Sequence, residues 1–233
     1  MPQPTDTRST DTRRPPWRKL LREGPAAIRL LAAQLRRPPR RRAPGAKRAV
    51  IVIPAFLAAD FVTLPLRRAL RAAGHRTWGW GQGVNIGARR AKFAGLLERI
   101  DRLADATGEK LVLVGWSLGG LYAREAAKRR PGKVARVITL GTPFSHGLRD
   151  NNAWKLYEAV NDHDVDHPPV RVTPEEKPPV PTIAIWSPAD GIVAPASASG
   201  RAGESDRQIE IHCPHNELVS HPEAVGAVLE ALS

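Results

Sequence analysis

The hydrophobic positions follow two different spacings from residue 49 onward. Short continuous apolar runs, such as "AVIVIP" at 49–54, are typical of strands that are buried on both faces. Between them lie longer segments, such as 88–108, in which apolar residues recur three and four positions apart, as in an amphipathic helix. Their alternation predicts an α/β fold, a three-layer sandwich with a mostly parallel sheet of about six strands. The predicted strands are 49–54, 75–80, 110–115, 134–141, 182–187 and 208–213.

The widest gap between predicted strands separates the fourth from the fifth. Residues 150–161 of this gap can form one helix, and the rest is first acidic and then rich in proline. Segments this long between strands of a compact sheet are usually lids or binding loops. We therefore predict a short lid at about residues 143–181.

The chain before the first strand has another character. Residues 1–48 form an arm in which 16–37 predict an amphipathic helix, in two pieces that break near Gly24 and Pro25. The remainder of the arm is polar and rich in proline and arginine, so we expect it to be partly disordered. Residues 49–233 are predicted to form the α/β domain.

The net charge of +13 is concentrated in this arm. Residues 1–48 contain 14 Lys/Arg and 3 Asp/Glu, whereas residues 49–233 contain 22 and 20. A nearly neutral domain argues against a nucleic-acid-binding core, and we expect no nucleic acid partner. The arm either packs along the domain with its arginines exposed, or contacts an anionic membrane through an apolar set of side chains. That set is Trp17, Leu20, Leu21, Ile28, Leu31 and Leu35.

Cysteine content and hydropathy predict the compartment. Cys213 is the single cysteine, which excludes an internal disulfide and fits a reducing environment. No apolar run approaches the roughly 18 residues that cross a bilayer, and no apolar core of a secretory signal is present. We expect a cytoplasmic protein, or one that its arm holds peripherally at the inner membrane surface.

Ser117 stands between two glycines in "GWSLG" (115–119), where a predicted strand meets a predicted helix. A serine hydroxyl is a poor nucleophile until a base removes its proton and donors stabilise the oxyanion that forms. The G-x-S-x-G pattern at a strand-to-helix turn exposes the serine oxygen, and its glycines let strand and helix approach closely. The alternative is a Gly/Ser turn without chemistry. The position between strand and helix favours a nucleophile.

The same pattern requires an acid and then a histidine later in the chain. Asp190 follows the fifth predicted strand, at the sheet edge where catalytic groups collect, although Asp-Gly pairs are also common in plain turns. Three histidines compete for the remaining role. His212 falls within the last predicted strand and His221 at the start of the last helix. We favour His215, because it lies in a loop that can reach back to the serine.

The segment "DHDVDH" at 162–167 offers His163, Asp164, Asp166 and His167 as metal ligands. Neighbouring residues of one loop rarely converge on one ion, so a solvated lid is the favoured interpretation. The sequence contains no G-x-G-x-x-G and no P-loop pattern. We expect no metal and no cofactor.

From about Val50 to its end, the chain resembles the α/β-hydrolase fold, and more narrowly bacterial esterases related to small triacylglycerol lipases. The matching stretches are "VIVIPAFLAADFVTLPLRRALRAAGHRTWGWGQGVNIG", "GWSLGG", "VITLGTPF", "NNAWKLYEAV", "PTIAIWSPADGIV" and "HNELVSHPEAV". The resemblance implies a serine hydrolase that cleaves carboxylic esters of small molecules or lipids through an acyl-serine intermediate.

The resemblance also implies the residue roles. Ser117 would be the nucleophile, His215 the general base and then acid, and Asp190 the carboxylate that orients the imidazole. The oxyanion hole would consist of the backbone N–H groups of Phe56 and Leu118.

One residue departs from this resemblance. Relatives usually carry glycine at the position of Ala55, and a Cβ there costs energy if the backbone needs positive φ. Two alternatives to an esterase stay open. An acyltransferase would form the same acyl-enzyme and pass the acyl group to an alcohol or thiol. A non-enzymatic binding protein would have kept the fold after Ala55 impaired the oxyanion hole.

Overall fold

The computed structural model describes residues 14–35, 46–149 and 151–233, and within them it has one sheet of six parallel strands in the order β2-β1-β3-β4-β5-β6. The strands are β1 (Ala49–Ile53), β2 (Arg76–Gly79), β3 (Leu111–Trp116), β4 (Val134–Leu140), β5 (Thr182–Trp186) and β6 (Arg207–Glu210). The helices are α1 (Trp17–Ala33), α2 (Leu64–Ala72), α3 (Arg90–Thr107), α4 (Leu118–Arg129), α5 (Trp154–Val160), α6 (Pro195–Ser199) and α7 (Pro222–Leu232), and a 3₁₀ helix covers His215–Glu217. The predicted parallel sheet is confirmed.

Helices cover both faces of the sheet, as the sequence predicts. Val50 and Val52 of β1 belong to the apolar cluster that includes α2 and α7. Ile51 and Ile53 belong to the cluster on the other face, which includes α3 and α4. Because β1 is buried on both sides, its sequence is a continuous apolar run. Full burial of each such side chain contributes about 1.5–3 kcal/mol.

The strand order reverses at β1. The chain first runs outward from β1 to β2 and then crosses back to β3 on the other side of β1. Parallel sheets open a crevice at the carboxyl ends of the strands where such a reversal occurs. The residues that follow β1 and β3, namely Pro54 to Phe56 and Ser117, therefore flank one crevice.

The lid lies between β4 and β5, carries α5 and is fastened to the domain near both ends. Asn151 pairs with Val193 in an isolated bridge, and this pairing delays the predicted helix until Trp154. Near the other end, Glu125 of α4 accepts a hydrogen bond from the Thr173 N–H at 2.9 Å.

Helix α1 corrects one expectation about the arm. The predicted break near Gly24 and Pro25 does not occur, and the helix continues through Pro25. Proline removes one main-chain hydrogen bond, but Pro25 lies on the exposed side of α1. Ala26 and Leu30 are buried against the domain, so packing stabilises the helix beyond the proline.

The disorder predicted for the rest of the arm falls mainly on residues 1–13 and 36–45, which lie outside the described residues. Of the helices in the described ranges, none has the length and the apolar content that crossing a bilayer requires.

Candidate active site

Ser117 occupies a strained turn between β3 and α4. Its backbone has φ 53° and ψ −122°, a left-handed conformation that costs an L-residue about 1–2 kcal/mol. Both flanking glycines are required by close packing. A Cβ at Gly115 would overlap the backbone of Gly119, and one at Gly119 would overlap the carbonyl oxygen of Ile53. The sequence therefore forces this serine outward at the carboxyl edge of the sheet.

Asp190 and His215 form a buried pair at the same edge. Asp190 Oδ2 lies 2.7 Å from His215 Nδ1, and both residues are at least 98% buried. The other carboxylate oxygen accepts the N–H groups of Ile192 and Val193, each at 2.8 Å. A neutral ring that donates its Nδ1–H to Asp190 carries its lone pair on Nε2, where it can accept a proton.

The surroundings of His215 favour its protonated form. Burial lowers the pKa of His215, but the charge of Asp190 and its hydrogen bond raise it. The charge of Glu23 adds to this rise, and the resulting pKa lies above that of an exposed histidine. A ring of this kind is a stronger base than an ordinary histidine. For the same reason it becomes protonated at a higher pH, and the protonated ring cannot accept a further proton.

The structure brings Ser117 to the neighbourhood of this pair. Trp116 directly precedes Ser117, and its ring centroid lies 5.9 Å from that of His215. Among the described residues, no hydrogen bond joins the Ser117 hydroxyl to the imidazole. Catalytic hydrogen bonds are often long in free enzymes and tighten around the substrate.

The two competing histidines lie elsewhere. His212 follows β6, which ends at Glu210 and is shorter than predicted, and its exposed ring lies 3.4 Å from the Glu210 carboxylate. His221 precedes α7, where its ring accepts a hydrogen bond from the Glu223 N–H at 3.4 Å. Within the described chain, His215 is the histidine that bonds Asp190.

The backbone N–H groups of Phe56 and Leu118 lie in two loops at the mouth of the crevice. Leu118 begins α4, and N–H groups of a first helical turn have no partner within the helix. Phe56 lies in the turn after β1, and within the described chain its N–H makes no hydrogen bond. Both residues line the same cleft as Ser117.

The strain expected at Ala55 is not present. Its backbone is not among the described non-glycine residues with positive φ; the left-handed residue of this loop is Leu57, with φ 59°. Ala55 is buried and packs into the apolar cluster of β1, so its Cβ has space. The departure from glycine therefore leaves the conformation of the loop unstrained at this position.

Sequence reasoning missed two residues that shape the site. Asn85 is fully buried, its side chain donates to the Pro54 carbonyl at 2.8 Å, and its own carbonyl accepts the Leu57 N–H at 2.7 Å. It thereby holds the loop that carries Phe56. Gly141 has φ +54°, and a Cβ there would come within 3.0 Å of Asp190 Oδ2. No local sequence pattern singles out either role.

The cleft beside Ser117 is mainly apolar, and the lid forms much of its wall. Its apolar lining includes Leu121, Leu148, Trp154, Val165, Val170 and Ile192. Two polar lining residues are already engaged within the protein, since Asn151 accepts the Ala153 N–H and Glu125 accepts the Thr173 N–H. The cleft is therefore suited to an apolar group.

The histidines and aspartates of the lid do not converge. In the described part of the chain, no group of three or more His, Cys, Asp or Glu side chains could hold a metal ion. His163 bonds the Tyr157 hydroxyl at 2.9 Å, and His167 bonds Asp164 at 2.9 Å.

Comparisons with known proteins agree with this architecture. A family model described as the α/β-hydrolase fold matches residues 72–172. The solved structure of naproxen esterase (carboxylesterase NP) from Bacillus subtilis superposes with a TM-score of 0.53 over 90% of this chain and 96% of that chain, at 16% identity. The chain has the α/β-hydrolase fold.

Two curated proteins match short segments of this chain at higher identity. A probable esterase of Oryza sativa subsp. indica is 46% identical over an alignment of 80 positions that covers 31% of this chain and 30% of that protein. A pimeloyl-(acyl-carrier protein) methyl ester esterase of Aromatoleum aromaticum is 43% identical over 53 residues, which are 23% of this chain and 21% of that protein. The matches thus span less than a third of either relative.

Proposed function

We propose that the protein hydrolyses carboxylic esters through an acyl-serine intermediate on Ser117. The observation that carries the proposal is the buried Asp190–His215 pair, at the same sheet edge as a serine in left-handed backbone. The two curated relatives, which match short segments, are both named as esterases. The absence of strain at Ala55 removes the main reason for a binding protein with an impaired oxyanion hole.

In the proposed reaction, His215 Nε2 takes the proton of the Ser117 hydroxyl as its oxygen attacks the ester carbonyl. The carbonyl electron pair moves to oxygen, and the N–H groups of Phe56 and Leu118 stabilise this oxyanion. Asp190 orients the ring and stabilises its charge. The oxyanion collapses, and the alcohol leaves with the proton from His215. Water then gives a proton to the ring and attacks the acyl-serine, which releases the acid and restores the serine.

The apolar cleft indicates the substrate class. Burial of an acyl chain against the lid removes apolar surface from water, and each CH₂ contributes about 0.8 kcal/mol. A charged acyl group would lose its hydration there without gaining a free partner. We therefore propose esters with an aliphatic or aromatic acyl group, from small molecules or lipids.

Replacement of Ser117 tests this function. We expect Ser117→Ala to lower turnover of a p-nitrophenyl ester by roughly 10⁴–10⁶, because the nucleophile is lost. A fluorophosphonate probe should label the wild-type protein at this serine and leave the variant unlabelled. Ser220→Ala, a serine outside the proposed machinery, is the control and should keep full activity and labelling.

Three outcomes separate the alternatives. Activity of a folded Ser117→Ala protein near that of the wild type contradicts the nucleophile. A wild-type protein that binds esters but is neither labelled nor active is a binding protein. A labelled protein whose acyl group goes to an added alcohol in preference to water is an acyltransferase.

We further propose that α1 places the catalytic edge against an anionic membrane. The helix docks onto the domain through one face, which buries Glu23, Ala26 and Leu30. Its main apolar stripe points the other way. The exposed side chains of the stripe are Trp17 (66%), Leu20 (43%), Leu21 (67%), Ile28 (69%) and Leu31 (59%), with Leu35 (90%) just after the helix.

The two ends of α1 contact segments that lie next to the proposed active site. Pro15, just before the helix, accepts a hydrogen bond from the lid residue Asn152 at 3.1 Å, and Gln34 at its other end donates to the Val62 carbonyl at 3.2 Å. The helix thus passes from the lid to the segment after β1. Arg18, Arg22 and Arg29 are exposed beside the stripe, within an arm of net charge +11. An apolar stripe flanked by cations is the pattern of an interfacial helix on anionic lipid.

A further inference from the structure

Glu23 reaches from α1 to both loops that carry the acid and the histidine. Its Oε1 accepts the N–H groups of Gly191 and His215, each at 2.9 Å. Its Oε2 accepts the N–H of Asn216 at 2.9 Å, and the Asn216 side chain donates to the Glu23 carbonyl at 3.1 Å. Hydrogen bonds to a charged acceptor are about twice as strong as neutral ones. One carboxylate therefore joins the loop of Asp190 to the loop of His215.

The backbone of α1 touches the acid loop directly. A Cβ at Gly191 would come within 2.5 Å of the Lys19 carbonyl oxygen and 2.8 Å of Leu20 N. The Lys19 ammonium donates to the Pro188 carbonyl, also in this loop, at 2.7 Å. Glycine directly after Asp190 thus has a packing reason, since it admits the helix that carries Glu23.

The partners of Glu23 are uncharged. It is 4% exposed, and among the described residues no cation pairs with it. Arg29, on the same helix, pairs with Glu217 instead. Glu23 is therefore not part of an ordinary structural ion pair. A buried carboxylate that bonds only main-chain N–H groups of two catalytic loops fixes their relative position and leaves its charge near the imidazole.

We propose, on the basis of the function proposed above, that Glu23 is a positioning residue that holds Asp190 and His215 in register for catalysis. The charged groups that face His215 are Asp190, from the loop after β5, and Glu23, from α1. Glu217, on the same turn, is engaged by Arg29. Burial raises the pKa of the Cys213 thiol, which stays uncharged.

Replacement of Glu23 by Gln keeps the shape of the side chain but changes one carboxylate oxygen into an NH₂ group. This donor then faces a main-chain N–H group, with which it cannot form a hydrogen bond. We expect kcat on a short soluble ester to fall about tenfold to hundredfold with little change in KM, because a displacement of about 1 Å has an effect of this size. The acidic limb of the kcat profile should move to lower pH, because removal of the Glu23 charge lowers the pKa of His215. Glu23→Asp keeps the charge but is too short for both loops, so it should lose kcat without this shift.

Gln34→Ala is the matched control, because it removes a tether of the same helix that does not reach the catalytic loops. It should keep the wild-type kcat and pH profile. If Glu23→Gln does not fold, Gly191→Ala displaces α1 from the acid loop with the Glu23 charge intact, and should lower kcat without moving the limb. Wild-type kcat and pH profile in a folded Glu23→Gln protein overturn the proposal. So does an equal loss in the Gln34→Ala variant.

Labelling of the wild-type protein separates this outcome from failure of the proposed function. If a fluorophosphonate does not label Ser117, the esterase proposal itself is wrong. If it labels the wild type and the Glu23→Gln variant at the same rate, and their pH profiles agree, only the role of Glu23 is wrong.

Discussion

Ser117 and Leu57 show where the site stores backbone strain. Both have positive φ without being glycine, and each stands in a loop of the proposed machinery. The strain is offset locally, since the Ser117 N–H bonds the Leu140 carbonyl at 2.8 Å and the Leu57 N–H bonds the Asn85 carbonyl at 2.7 Å. The motif predicts a strained Ser117. The strain at Leu57 was not predictable, because leucine is rare in this conformation and its anchor Asn85 is distant in sequence.

At the scale of the residue, we expect Ala55→Gly to bring no gain in turnover. Ala55 needs no left-handed backbone, and glycine adds freedom to the unfolded chain that costs about 0.4–1 kcal/mol of stability. Turnover of a short-chain ester should be unchanged or slightly lower, which comparison of kcat for the two proteins measures. Leu57→Gly, the contrasting variant, should unfold at a higher temperature. A several-fold rise in kcat for Ala55→Gly would mean that the loop does turn left-handed at this residue during catalysis.

At the scale of elements, burial made the sheet predictable and specific hydrogen bonds moved its ends. The apolar runs locate all six described strands within a few residues. The last strand stops before the predicted residue 213 because Cys213 turns its N–H toward the buried hydroxyl of Ser187, at 3.1 Å. The start of α5 is delayed in the same way by Asn151. Such contacts join residues far apart in the chain, and periodicity does not encode them.

The lid offers a test at this scale. The Tyr157 hydroxyl of α5 accepts the buried Ala88 N–H at 3.0 Å, and Tyr157→Phe leaves that donor unpaired at a cost of about 1–3 kcal/mol. We expect faster amide hydrogen exchange in the lid, with the sheet unchanged. Tyr122→Phe is the control. It removes a hydroxyl of α4, outside the lid, that donates to the Gly87 carbonyl at 2.6 Å. Unchanged lid exchange in Tyr157→Phe would show that other contacts hold the lid.

At the scale of the whole molecule, the arm is where the pattern misleads. An amphipathic helix is expected to bury its apolar face, yet α1 buries Glu23 and leaves Ile28 and Leu31 exposed. The reason is that three loop N–H groups would have no hydrogen-bond partner beneath an apolar side chain, whereas the Glu23 carboxylate accepts all three. Sequence alone does not reveal those donors, because they come from residues about 170 and 190 positions away. One face of the helix therefore holds the two loops of the proposed site, and the other, exposed face is the one that we propose meets a membrane.

An anionic bilayer is the partner that this face predicts. We expect the protein to sediment with phosphatidylcholine vesicles that contain phosphatidylglycerol, more than with phosphatidylcholine alone, and less as salt screens the arginines. The double variant Ile28→Ser with Leu31→Ser should bind at least about tenfold more weakly, since each side chain contributes up to about 1.5–3 kcal/mol on burial. It should also lose activity on a long-chain ester in the vesicles, while hydrolysis of a soluble short ester stays unchanged. Val84→Ser, which changes an exposed apolar residue outside α1, is the control. Equal binding of the double variant would contradict the membrane proposal, and a wild-type dimer that the same variant dissociates would assign the stripe to a second copy of the chain.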